Sequence, residues 1–174
     1  MNYQKITFPD INNGKGCRVT LWVSGCSNRC PGCHNLETWD RLSGKQFDNT
    51  ALNILFNELD KSFIQGLTLS GGEPLDINDV DKLNNIFSIV EGFRDRYGNT
   101  KDIWVYSGFL LEDLIKNPIV KNILDKVDYL VDGKFDINKR NISLPFRGST
   151  NQIIYKKNEF GIFEPDEELN NFRL

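Results

Sequence analysis

Three cysteines fall within eight residues, Cys26-Ser-Asn-Arg-Cys30-Pro-Gly-Cys33, directly behind a strand-length run of β-branched and aromatic residues, Arg18 to Val23. Any fold for this chain must therefore bring a strand end to the place where three thiols meet. The C-x3-C-x2-C spacing suits a metal or an iron–sulfur cluster. Three thiolates leave one iron of a four-iron cluster open to a ligand of its own. A structural zinc wants a fourth ligand, for which Cys17 and His34 are the candidates, and a small zinc-stabilised binding module is the competing reading. His34 directly follows Cys33, so bending both onto one ion is awkward. Cys17 precedes the strand and Cys26 follows it; six residues at ~3.3 Å each span ~20 Å, which predicts that Cys17 lies at the opposite end from the triad.

The remaining composition is that of an ordinary globular domain. Among 174 residues, 39% are hydrophobic and 26% charged, which excludes disordered and fibrous classes. A net charge of −3 gives no electrostatic footprint for nucleic acid. There is no run of 18 apolar residues and no signal-like N-terminus, so the expectation is a cytoplasmic protein with no membrane partner. Cytosolic thiols are kept reduced, which counts against disulfides.

Strand and helix patterns alternate along the chain. Ala51 to Phe63 has the apolar period of a helix, with Thr50 as expected N-cap. Gly66 to Ser70 reads as a buried strand ending in Gly71-Gly72-Glu73-Pro74. Asn78 is the expected cap of a helix with the apolar face Val80, Leu83, Phe87 and Val90, and Asp102 to Ser107 is a third strand. Leu110 to Lys126 is helical in pattern but interrupted at Pro118, and Tyr129 to Asp132 is a fourth strand. The order predicts parallel βαβ units, and the length predicts an open, partial α/β barrel with mostly parallel strands and a site beyond their carboxyl ends.

Each polar motif has a plain reading beside a functional one. Gly71-Gly72-Glu73-Pro74 is a surface turn or a close backbone approach to a ligand. Asp132-Gly133 is a type I′ hairpin signal or part of a site. Tyr106-Ser107-Gly108 is a strand end with a turn serine or a hydroxyl aimed at ligand. His34 is expected to brace the cysteine loop.

The cysteine loop after a first strand, with Gly-Gly-Glu-Pro after the second, resembles the radical S-adenosylmethionine (SAM) superfamily, whose fold is a full or partial α/β barrel. More narrowly, Leu21 to Cys26, Cys30 to Asn35, Ser70 to Leu75, Ile103 to Phe109, Val131 to Phe135 and Phe146 to Gln152 resemble, in order, the activating enzymes of anaerobic ribonucleotide reductase. One departure from the wider superfamily is Gly32, where an aromatic residue usually stands. The length predicts a single domain over 1–174, and the acidic stretch 158–174, around Glu164 to Glu168, reads as a peripheral tail. The resemblance, which spans about residues 14–155, makes that domain a radical SAM domain. It also implies a [4Fe–4S] cluster on Cys26, Cys30 and Cys33 that binds S-adenosyl-L-methionine through its open iron. Gly71 and Gly72 would meet the SAM ammonium, with Glu73 as a second acceptor or brace. Ser107 would meet the ribose, Lys134 the carboxylate, and Asp132 would orient a nearby polar group or cation. Arg147, Asn151 and Gln152 would belong to the rim. The implied reaction is reductive cleavage of SAM to a 5′-deoxyadenosyl radical that takes hydrogen from a glycine of the reductase large subunit. An electron donor such as a flavodoxin would serve it. Activation of another glycyl-radical enzyme, such as pyruvate formate-lyase, is the alternative; those activases look longer, and Phe146 to Gln152 favours the reductase.

Overall fold

In the computed structural model, which describes residues 1–171, one eight-stranded sheet separates two unlike surfaces. Strand β1 (Asn2–Asp10) pairs antiparallel with β2 (Arg18–Val23) and with the short β3 (Lys45–Gln46). Strands β2, β4 (Gly66–Gly71), β5 (Asp102–Tyr106) and β6 (Tyr129–Asp132) are parallel neighbours. Strands β7 (Ile153–Lys157) and β8 (Phe163–Pro165) complete the sheet antiparallel. The order is β3-β1-β2-β4-β5-β6-β7-β8, and the sheet does not close. The α/β expectation holds. The expectation of mostly parallel strands holds only for the central four and is corrected at the flanks. There the links β1–β2 and β7–β8 are too short for the helical crossover that parallel pairing requires.

Side chains alternate across the pleat, so each central strand divides its residues between the two faces. Val19, Leu21, Val23, Leu67, Leu69, Ile103 and Val105 are fully buried on one face. Together with α1 (Asn49–Leu59), α2 (Val80–Tyr97) and α4 (Pro118–Leu124) they form the main core. Each such side chain contributes ~1.5–3 kcal/mol by leaving water.

The other face carries Arg18, Thr20, Thr68, Trp104, Tyr129 and Val131, with Ile154 and Leu169 in the same small cluster as Trp104. Arg18 is wholly buried there. It donates to Thr68 Oγ1 at 2.7 Å and to the Leu67 carbonyl at 2.7 Å, and it pairs with Asp102 at 2.6 Å. Opposite flanks of the sheet approach each other across this face, where Lys15 of the β1–β2 loop meets Glu168 of α5 (Glu167–Asn171) at 3.1 Å.

Local signals differ from the sequence expectations at several ends. The cap of α1 is Asp48, which accepts from Ala51 N–H at 2.9 Å, rather than Thr50. The helix stops at Leu59, leaving Phe63 exposed. Asp79, not Asn78, caps α2, because its carboxylate reaches Lys82 N–H while Asn78 sits in a turn closed by Asp76. Pro118 does split the next segment: α3 (Leu111–Leu114) ends before it, and α4 starts on it behind the Asn117 cap. The hairpin reading of Asp132-Gly133 is overturned, since the partner of β6 begins only at Ile153.

Candidate cluster site

Cys26 stands three residues beyond β2, and its loop is held from both sides. Gly25 N–H donates to Thr38 O at 2.7 Å and Cys26 N–H to Trp39 O at 3.2 Å. Cys33 N–H closes a turn onto Cys30 O at 3.1 Å. All three thiols are free and partly buried. Burial pushes the Cys26 and Cys30 thiols up; backbone N–H groups and, at Cys30, the Lys134 charge offset part of this. At Gly32, φ is +74° and a Cβ would stand 2.9 Å from Ile137 Cδ1, so a side chain there would be strained and would press on Ile137.

The β4–α2 connection grips this loop. Glu73 N–H donates to Gly25 O at 2.9 Å, Asn28 Nδ2 to Glu73 Oε2 at 2.8 Å, and Ser27 Oγ to Asp76 Oδ1 at 3.0 Å. Gly72 must be glycine for this contact, because a Cβ there would lie 2.5 Å from Gly25 O. The Glu73 carboxyl is 1% exposed and also accepts from Gly108 N–H at 2.7 Å and Leu75 N–H at 3.1 Å. Burial raises its pKa to about 7 despite these donors. Glu73 thus ties together the loops that follow β2, β4 and β5.

Cys26, Cys30, Cys33, Gly71, Gly72, Glu73 and Ser107, the residues singled out in the first three loops, line one cavity of about 150 Å³. Ser107 is 5% exposed, and its hydroxyl accepts from Phe109 N–H at 3.1 Å. The remaining pair is placed differently. Asp132 is buried outside the cavity wall; its Oδ2 accepts from Leu111 N–H at 2.8 Å, while Oδ1 has no partner of good geometry. Lys134 is exposed outside the lining, whereas Gly133 and Phe135 beside it line the cavity. A second space of about 450 Å³ continues from Cys33 and Tyr106 past His34, Phe146 and Arg147. Arg147 donates to Gln152 O at 3.0 Å and Asn170 Oδ1 at 2.8 Å, fastening α5 to this rim. Exposed His34 lies edge-on to Phe135, ring centres 6.1 Å apart.

Sequence reasoning missed Asn28, Asn35 and Asp76. Asn35 N–H points at Cys33 Sγ at 3.4 Å, and its side chain reaches Gly71 O at 3.4 Å. Only their proximity to the cysteine and glycine motifs hinted at them.

The donor set suits a cluster better than a single ion. Thiolates around one zinc, at 2.3 Å each, stand about 3.8 Å apart. Among the described residues no three His, Cys, Asp or Glu side chains converge as ligands of one ion. A four-iron cluster spreads its thiolates more widely, and Cys17, at the far end of β2, supplies no fourth.

Comparison with known proteins agrees with this chemistry. Residues 12–155 match the family described as "4Fe-4S single cluster domain". The "Anaerobic ribonucleoside-triphosphate reductase-activating protein" of Enterobacteria phage T4 is 38% identical over 95% of this chain and 100% of its own length. The chain belongs to this family of activating proteins. Relatives of the same name include those of Escherichia coli K12, 40% identical over 89% of this chain and 98% of the relative, and of Pasteurella multocida, 38% identical over 92% and 100%. For the family, the described residues supply an α/β scaffold with the three thiols beyond the carboxyl ends of its parallel strands, and no described helix is long and apolar enough to cross a membrane.

Proposed function

We propose that this chain is a radical SAM activase of anaerobic ribonucleotide reductase, built on a partial, open barrel of the radical SAM type. The observation that carries the reading is the meeting, in one cavity, of Cys26, Cys30 and Cys33 with Gly71, Gly72 and Ser107. When bound on the three thiolates, a [4Fe–4S] cluster supplies one electron to the SAM sulfonium, giving methionine and a 5′-deoxyadenosyl radical that takes the Cα hydrogen of a reductase glycine.

The chain's own residues bind and orient. Gly71 and Gly72 bring backbone oxygens to the cavity without a Cβ in the way, suited to an ammonium group. Ser107 offers a hydroxyl toward a ribose. Lys134, exposed and close enough for its charge to act on Cys30, suits a carboxylate as a compact charge. Glu73 serves as the brace among three loops, and Asp132 anchors the start of α3. The wider space toward Phe146 and Arg147 is left for a peptide segment of the partner. A reducing cytoplasm and a small one-electron donor protein, such as a flavodoxin, complete the proposal.

The test is anaerobic reconstitution with iron and sulfide, followed by addition of SAM, a reductant and the cognate reductase. The expected results are an EPR signal that SAM perturbs and a glycyl doublet on the reductase. Cys26→Ala, Cys30→Ala and Cys33→Ala should each abolish 5′-deoxyadenosine formation. Normal product from any of the three would overturn the cluster assignment; a doublet on a formate-lyase instead would change the partner and leave the chemistry.

A further inference from the structure

Lys82, in the first turn of α2, is 2% exposed. Lysine is seldom buried unless paired, and the positive end of a helix dipole is an unfavourable place for a cation. Its surroundings give the reason for tolerating that cost. The ammonium donates to Gly25 O at 2.8 Å and Glu73 O at 3.2 Å, with the Asp79 carboxylate at 4.0 Å. Gly25 O is the peptide oxygen immediately before Cys26, and it also accepts Glu73 N–H. Asp76, Asp79, Glu73 and Cys26 act on the charge of Lys82, and Arg29, Asp40 and Arg41 line the space beside it. A space of about 760 Å³ is lined by Gly25, Cys26, Asp76 and Lys82, and it shares Cys26 and Trp39 with the cavity of the cysteine triad.

We propose that Lys82 is a positioning residue that clamps the Gly25 and Glu73 carbonyls together, fixing the cysteine loop against the Gly-Gly-Glu loop and standing as a fixed positive charge behind Cys26. The inference rests on the cluster proposed above. A carbonyl held by two donors cannot rotate freely, so the direction in which Cys26 leaves the strand is set from behind. The same charge, in a partly desolvated setting, favours the added electron of a reduced cluster, although Asp76 and Asp79 oppose part of that effect.

The experiment compares anaerobically reconstituted wild type, Lys82→Met and Lys82→Arg by iron content, EPR-monitored redox titration and SAM dissociation constant. With iron retained, Lys82→Met should be harder to reduce by about tenfold in the equilibrium, 59 mV for one electron, and should bind SAM several-fold more weakly. Lys82→Arg, which keeps the charge, should hold the wild-type potential. Unchanged potential and SAM affinity in iron-loaded Lys82→Met would overturn the inference. If Lys82→Met takes up no iron, Lys82→Gln decides, since it keeps an N–H donor without the charge: a lowered potential supports the inference and an unchanged one overturns it. Iron loss in all three variants, Arg included, would also overturn it. A wild type that forms no reducible cluster defeats the proposed function itself, whereas a wild type and Lys82→Met that behave alike defeat only this inference.

Discussion

Asn28, inside the cysteine loop, donates its side-chain amide to Glu73 Oε2 at 2.8 Å, and that oxygen also accepts Gly108 N–H at 2.7 Å. One buried carboxyl therefore couples loops that leave three different strands. Its folded pKa lies above the ordinary value, so the associated stability is full below about 4.5 and is lost as pH rises through about 7. Between those limits the iron-free protein should lose up to about 3 kcal/mol relative to Glu73→Gln, read as the difference between two urea-denaturation series. Parallel pH profiles for the two proteins would remove Glu73 from this role.

Lys134 is the most exposed of the proposed SAM contacts. Replacing it with alanine should weaken SAM binding roughly 10–100-fold, as expected of one charge-assisted hydrogen bond. Iron content and thermal stability should stay at the wild-type level, because the backbone contact from Asn151 Nδ2 to Lys134 O does not need the side chain. Equal SAM affinity in a titration would take Lys134 out of the site.

Cys17 immediately precedes β2 at the end remote from the triad, and its carbonyl accepts Gln65 N–H at 2.7 Å. Cys17→Ser is expected to keep iron content, cluster spectrum and SAM cleavage. Cluster loss in that variant alone would point to a closed four-thiolate site.

Arg18 is held by three oxygen acceptors in addition to Asp102. Arg18→Met takes the partner from a part-exposed Asp102 carboxylate and leaves the Thr68 hydroxyl with its bond to Asn13 O alone, so equilibrium unfolding should register a loss of about 1–3 kcal/mol. A loss below about 0.5 kcal/mol would mean that water replaces the guanidinium there, in the range of ordinary surface substitutions.

The central strands were legible because Arg18 to Val23, Gly66 to Ser70, Asp102 to Ser107 and Tyr129 to Asp132 are short runs bounded by turn residues. The flanks were not. Asn2–Asp10 mixes Gln4, Lys5 and Thr7 with its apolar residues, as a strand near a sheet edge can, and β8 has three residues. In the site, motif residues that touch one another through backbone, such as Gly72 against Gly25, follow from their glycine content. Asn28, Asp76 and Lys82 act through side chains whose partners lie 45, 49 and 57 positions away, and periodicity carries no information about such pairings. The burial of Asp132 behind the start of α3, rather than on the cavity wall, was hidden for the same reason.

Two of the three triad thiols, Cys26 and Cys30, are held above their ordinary pKa by burial. Burial therefore disfavours their thiolate forms, which are the nucleophiles of disulfide exchange and the species oxidants attack. On the proposed function, iron would have to displace protons from these two thiols to bind. Cluster assembly would then be a proton-releasing event whose affinity climbs with pH, and until it occurs burial would keep these two thiols chemically quieter than in an unfolded loop.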